Sequence, residues 1–170
     1  MLTWNWIDQD SVGCELYSLA DCRELAFFVA DQVANSVPLV IGLVGTLGAG
    51  KTQWTKFFVS RFGASEESIS SPTFVLLQRY PTQPPIVHID AYRVGDEDEF
   101  LELGIEEIFE ERGITVVEWA DRFPDALPLK TLWIRFEPSP NREDHRTVTL
   151  TNLRHFPRFS RSVEPPHPEA

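Results

Sequence analysis

The chain is 170 residues long, 42% hydrophobic, and carries a formal net charge of −11 at pH 7. That length suits one compact domain with its own core, and a hydrophobic fraction near ordinary globular usage excludes wholesale disorder. The longest apolar runs are too short to span a bilayer, and the acidic surplus argues against a protein that grips a nucleic-acid backbone by itself. Such a surplus suits a basic protein partner, or simply keeps the chain in solution. The opening MLTWNWIDQD lacks the basic and apolar regions of a secretory signal. Cys14 and Cys22, the only cysteines, make neither a metal-spaced pair nor a disulfide framework, which points to a reducing, cytoplasmic setting with no membrane association.

In chain order, Glu15 to Leu19 reads as a short first strand. Ala20 to Asn35 follows with Leu25, Phe28, Val29 and Val33 at helical spacing and Asp21 near its start. Ser36-Val37-Pro38 breaks that helix. Val37 to Val44 is a mostly apolar, β-branched run of the kind found in strands buried on both faces. After Thr52, the residues Trp54, Phe57, Phe58 and Phe62 give a helix with one apolar face, and Gly63 is placed to cap it. Ala64 to Pro72 is a serine-rich connection into a strand over Thr73 to Tyr80. A turn at residues 81–85 leads to a strand over Ile86 to Ile89. Asp96 to Leu103 and Ile105 to Phe109 read as short acidic helices separated by Gly104. Their charge suits a solvated face, or a docking surface. Ile114 to Val117, Thr131 to Phe136 and Arg146 to Leu150 are the remaining strands. The folded domain is expected over residues 1–153, with a disordered tail over residues 154–170.

Between strand and helix, Gly45-Thr46-Leu47-Gly48-Ala49-Gly50-Lys51-Thr52 fits the phosphate-loop pattern G-x-x-x-x-G-K-[ST]. Gly45, Gly48, Ala49 and Gly50 are small enough for backbone N–H groups to turn inward as a nest for phosphate oxygens. The following helix N-terminus adds unpaired donors. Lys51 can reach the outer phosphates, and the Thr52 hydroxyl can ligate the Mg²⁺ that travels with a nucleotide. Such a site needs a further acid, and two follow apolar strands: Asp90, in IVHID, and Glu118, in ITVVE. Either can hold the metal while the other orients a water molecule; each can instead cap a loop or pair with Arg93 or Arg122. No Asn-Lys-x-Asp segment reads guanine, so ATP is preferred over GTP. A small-molecule kinase shares the loop but needs an arginine-bearing lid, for which only Arg154, Arg158 and Arg161 offer themselves.

LGAGKT at residues 47–52, SPTF at 71–74, H-x-D-x-Y-R at 88–93, ELGIEE at 102–107 and EWADR at 118–122 occur in this order. Together they resemble the TsaE (YjeE) family, small ATPases of bacterial tRNA threonylcarbamoyladenosine (t6A) synthesis, over roughly Leu16 to Leu150. The resemblance implies an α/β fold, a P-loop NTPase-like three-layer domain with a mixed central sheet. It implies binding and weak hydrolysis of ATP with Mg²⁺, and association with the TsaB–TsaD pair, which performs the transfer and alone meets the tRNA. ATP hydrolysis would reset that complex between turnovers. By resemblance, Gly48 to Lys51 cradle phosphates, Thr52 and Glu118 hold Mg²⁺, and Asp90 assists the metal or the attacking water. Thr73 senses the outer phosphate. Trp119 lies near the nucleotide, although an indole at a strand end is equally an ordinary core residue, and Arg142 reaches the nucleotide from the C-terminal strands. Cys22 stands where family members often carry Thr, so no nucleotide contact is assigned there.

Overall fold

In the computed structural model of the chain, which describes residues 2–69, 72, 76–156 and 158–159, the apolar run before the glycine loop lies at the middle of a mixed sheet. The strands are β1 (Trp4–Trp6), β2 (Ser11–Leu16), β3 (Leu39–Val44), β4 (Leu77–Tyr80), β5 (Ile86–Asp90), β6 (Ile114–Glu118), β7 (Leu132–Pro138) and β8 (Arg146–Thr151). They are ordered β1-β2-β8-β7-β3-β6-β5-β4. β3 runs parallel to both β6 and β7, and β5 runs parallel to β6. The β1–β2, β2–β8, β7–β8 and β4–β5 pairs are antiparallel. The helices are α1 (Leu19–Val33), α2 (Lys51–Arg61), α3 (Glu97–Glu102) and α4 (Ile105–Glu110).

All six residues of β3 are buried, because the sheet is covered on both faces. Alternation along the strands divides the core in two. Leu39, Ile41, Leu43, Ile86 and Val116 share a cluster with Leu25 and Val29 of α1 and Trp54 and Phe58 of α2. Val40, Ile89 and Val117 share the other with Phe100 of α3 and Ile105 of α4. Within β3, a Cβ at Gly42 would lie 2.9 Å from the Trp133 ring and 3.0 Å from Ala120 Cβ. Glycine is what lets Trp133 and Ala120 close over the strand.

The elements differ from the sequence expectation at several points. The first strand ends at Leu16, not Leu19, because a helix cap begins at Ser18. Its Oγ accepts from Asp21 N at 3.2 Å, while Asp21 Oδ2 accepts from Tyr17 N at 2.9 Å, a reciprocal arrangement that starts α1 and stops β2. Strand β1 has no counterpart in the sequence expectation; its three residues are held by pairing with β2, Trp4 opposite Cys14, which local propensity does not report. The loop helix starts at Lys51 rather than Gln53, with Gly50 at φ 110° as its N-terminal flank. The core also extends past residue 153, where a tail is expected from the sequence. Phe156 and Phe159 are buried, and Phe159 meets Phe28 and Trp4 edge to face, with centroids 5.2 Å and 6.1 Å away. The predicted strand over Thr73 to Tyr80 is observed from Leu77; residues 73–75 lie outside the described residues. So do residues 160–170. No helix among the described residues is long and apolar enough to cross a membrane.

Phe159→Ala should therefore destabilise the fold by about 3–5 kcal/mol, as core phenylalanine truncations do. Urea unfolding followed by tryptophan fluorescence reads it, and an unchanged midpoint would return Phe159 to a dispensable tail.

Candidate active site

Parallel pairing puts the C-terminal ends of β3, β5 and β6 side by side. Leu43 is in register with Glu118, and Asp90 with Glu118, so the glycine loop after β3 and the two carboxylates open onto one edge of the sheet. Gly45, Gly48 and Gly50 all have positive φ, at 149°, 78° and 110°. A Cβ at Gly45 would meet Phe136 O at 2.6 Å, whereas one at Gly48 would meet nothing within 4 Å. The loop is thus pinned to β7 at its start and open at its middle, and Ala49 N donates to Thr46 O at 3.1 Å within it.

Thr52, on the first turn of α2, donates from its hydroxyl to Glu118 Oε2 at 2.8 Å. His88 Nε2 lies 2.8 Å from the other carboxylate oxygen. Glu118 is only 2% exposed, so both its oxygens are partnered as a buried carboxylate requires. Asp90, also buried, accepts from Tyr92 N at 3.0 Å and thereby starts the turn after β5. Arg122 does not pair with either acid; its Nη1 donates to the carbonyl oxygens of Ala91 and Tyr92, tying the turn after β5 to the turn after β6.

Lys51 Nζ folds back to donate to Gly45 O at 2.6 Å and Thr46 O at 3.0 Å. It also sits 3.7 Å from the centroid of the Trp119 ring, a cation–π distance. Burial pushes the Lys51 pKa below the ordinary lysine value, against the upward pull of Glu118, Asp121 and Asp90. Trp119 has φ 60°, the left-handed region that a bulky residue occupies only under constraint. Its indole meets Tyr92 at 4.8 Å between centroids, so it forms a wall of the site and not merely core. Leu47, Lys51, Thr52, Asp90, Tyr92, Glu118 and Trp119 line a cavity of about 260 Å³.

A second cavity of about 640 Å³ shares Gly48, Ala49, Gly50 and Gln53 with the first and runs on between Leu16, Ser18, Cys22, Phe136 and Arg146. Arg146 fixes its floor by donating from Nε to Ala49 O at 3.0 Å. Arg142 is absent from the lining of both cavities; it lies beside Asp144 at 3.5 Å and over the Tyr17 ring at 5.5 Å. Cys22, left unassigned by the sequence, lines the larger cavity. Thr73 lies outside the described residues. His88 and Arg146 are the participants that sequence reasoning passes over. His88 is visible as the residue two before Asp90, on the same strand face, whereas nothing in the spacing selects Arg146 over Arg142.

The sequence profile described as threonylcarbamoyl adenosine biosynthesis protein TsaE matches residues 16–148. The chain belongs to the TsaE family. The TsaE protein of Bacillus subtilis is 38% identical over 113 residues, 66% of this chain and 68% of that one. The Rickettsia bellii TsaE is 34% identical over 126 residues, covering 74% of this chain and 83% of its own length. Among solved structures, Bacillus subtilis YdiB superposes with a TM-score of 0.70 at 25% identity, covering 96% of this chain and 95% of that one. The TsaE match thus spans the loop, both acids and both cavities, and ends just inside β8.

Both cysteines of this TsaE chain are free and buried, and burial pushes each thiol from 9.0 up to about 12. Below that value each remains protonated, so a thiol reagent at pH 8 should react with the native protein far more slowly than with protein unfolded in guanidinium. Rapid native labelling at Cys22 would show that the cavity wall is more open than the structure has it.

Proposed function

We propose that this chain is a Mg²⁺-dependent ATPase, converting ATP to ADP and phosphate, that serves t6A modification of tRNA. It works with the TsaB–TsaD pair and supports that pair's turnover rather than transferring the threonylcarbamoyl group itself. The observation that carries this reading is the 2.8 Å bond between the Thr52 hydroxyl and Glu118 at the mouth of the glycine loop. It couples a loop suited to phosphate with a buried carboxylate suited to a metal. The strand–loop–helix at the middle of the sheet supports a P-loop NTPase-like three-layer fold. Family membership supports the t6A setting. The acidic surplus supports contact with tRNA only through partners, and two free cysteines support a cytoplasmic protein with no membrane role.

The donor set fits Mg²⁺. Thr52, Glu118 and Asp90 offer a hydroxyl and two carboxylates, the hard oxygen ligands this ion prefers. No cage of three or more His, Cys, Asp or Glu side chains gathers among the described residues, and an ion held largely by phosphate and water needs none. When bound, Mg²⁺ neutralises charge on the outer phosphates. Thr52 and Glu118 would hold it, while Asp90, fixed by Tyr92 N, would orient the attacking water. Gly45, Gly48, Ala49 and Gly50 cradle phosphate oxygens with backbone N–H groups. Lys51 exchanges its carbonyl partners for phosphate, and Trp119 keeps its ammonium within reach. The larger cavity takes the nucleoside, with Arg146 rather than Arg142 nearest the loop.

Lys51→Ala should lower ATP turnover by about 10²-fold or more, since charge on the phosphates goes unmatched; undiminished hydrolysis would remove the site. Glu118→Gln should cut Mg²⁺-dependent hydrolysis about 10–100-fold while nucleotide binding changes far less, and equal losses would make Glu118 structural. The decisive measurement is phosphate release with and without the TsaB–TsaD pair. Strong stimulation is expected, whereas phosphoryl transfer to a metabolite would make the chain a kinase.

A further inference from the structure

His88 is fully buried, and its surroundings do not account for it as core. It projects from β5 on the same face as Ile86 and Asp90, beside Val116 of β6, with which it is in register. That face is otherwise apolar behind the two acids. Its Nδ1 has no hydrogen-bond partner among the described residues, so the ring carries the desolvation cost of a buried, unmatched nitrogen. Its other nitrogen, Nε2, reaches diagonally across the strand pair to Glu118 Oε1 at 2.8 Å. To donate to that carboxylate the ring must carry a proton on Nε2.

We propose that His88 is a positioning residue for Glu118. Resting on the reading of Glu118 as the metal-holding carboxylate, the imidazole fixes the orientation of the carboxylate plane, so that one oxygen stays turned toward Thr52. The terminal torsion of a glutamate is broad and nearly two-fold, so an unrestrained carboxylate would rotate in the site. The bond from Nε2–H engages Oε1 and leaves Oε2 turned toward Thr52, where the hydroxyl already meets it at 2.8 Å. Thr52, Glu118 and His88 thus form one chain of hydrogen bonds from α2 through β6 to β5, in the manner of outer partners that orient metal ligands.

The test uses two readouts on the full chain. In metal-free protein, nitrogen-resolved NMR of the His88 ring should show a proton on Nε2; a ring protonated on Nδ1 alone would overturn the proposal. Mn²⁺ binding is then followed by electron paramagnetic resonance with a non-hydrolysable ATP analogue, for wild type, His88→Leu and His88→Gln. His88→Leu should weaken Mn²⁺ binding about 10-fold or more, with analogue affinity in EDTA unchanged. His88→Gln, whose amide nitrogen takes the place of Nε2, should restore most of it. Unchanged Mn²⁺ affinity in folded His88→Leu, or equal loss in the Leu and Gln variants, overturns the proposal. If circular dichroism shows that His88→Leu does not fold, His88→Asn replaces it: its amide is too short to reach Oε1, and parity with Gln refutes the role. A wild type without Mn²⁺-dependent analogue binding would instead fail the ATPase reading itself, and this inference with it.

Discussion

The bond between Thr52 and Glu118 joins two segments 66 residues apart, and most of the site's geometry depends on it. Thr52 belongs to the first turn of α2, whose position is set by the glycine loop. Glu118 closes β6, whose position is set by parallel pairing with β3 and β5. The bond exists only because β3 and β6 are neighbours running the same way, with Leu43 level with Glu118. An antiparallel partner at that place would turn its C-terminal end to the opposite edge of the sheet. The parallel core is in this sense the constraint, and the antiparallel flanks enlarge the sheet without altering that edge. On one flank the β7–β8 pair does more than extend it, because Phe136 abuts Gly45 and Arg146 holds Ala49.

Several features at this edge cost stability locally. Lys51 is buried with its charge, Trp119 occupies a left-handed backbone conformation, and His88 keeps an unmatched nitrogen. Each departs from what packing alone would select. All three lie at one end of the sheet, around Glu118. Elsewhere the core is largely apolar, with β3 buried throughout, two clusters on opposite faces and Trp133 closing over Gly42, although Trp54 Nε1 is likewise buried without a partner among the described residues. The core supplies the stability that the site uses, a common division between scaffold and function.

Much of the site is legible in the sequence. The spacing of Gly45, Gly50, Lys51 and Thr52 matches the phosphate-loop pattern, in which backbone donors, lysine and hydroxyl follow one another at fixed intervals. Asp90 and Glu118 are identifiable because each ends an apolar run. What is less legible depends on contacts between distant segments. β1 exists by virtue of its pairing with β2. Phe159 counts as core because Trp4 and Phe28 face it. Arg146 meets Ala49 only once β8 is laid beside β7, and no sequence interval distinguishes it from Arg142.

By itself, the sequence determined the family and the local pattern: a glycine loop between strand and helix, acids at strand ends and the motif order that marks TsaE. These are properties of short intervals, where backbone geometry and side-chain type leave few alternatives. Tertiary structure alone decided which oxygen meets which donor. Glu118 could have held metal, capped a loop or paired with arginine on sequence grounds; the sheet places it between Thr52 and His88 and sends Arg122 to the carbonyls of Ala91 and Tyr92. The physical reason is strand register, since one residue of slip in β6 would turn Glu118 to the other face of the sheet, away from both partners.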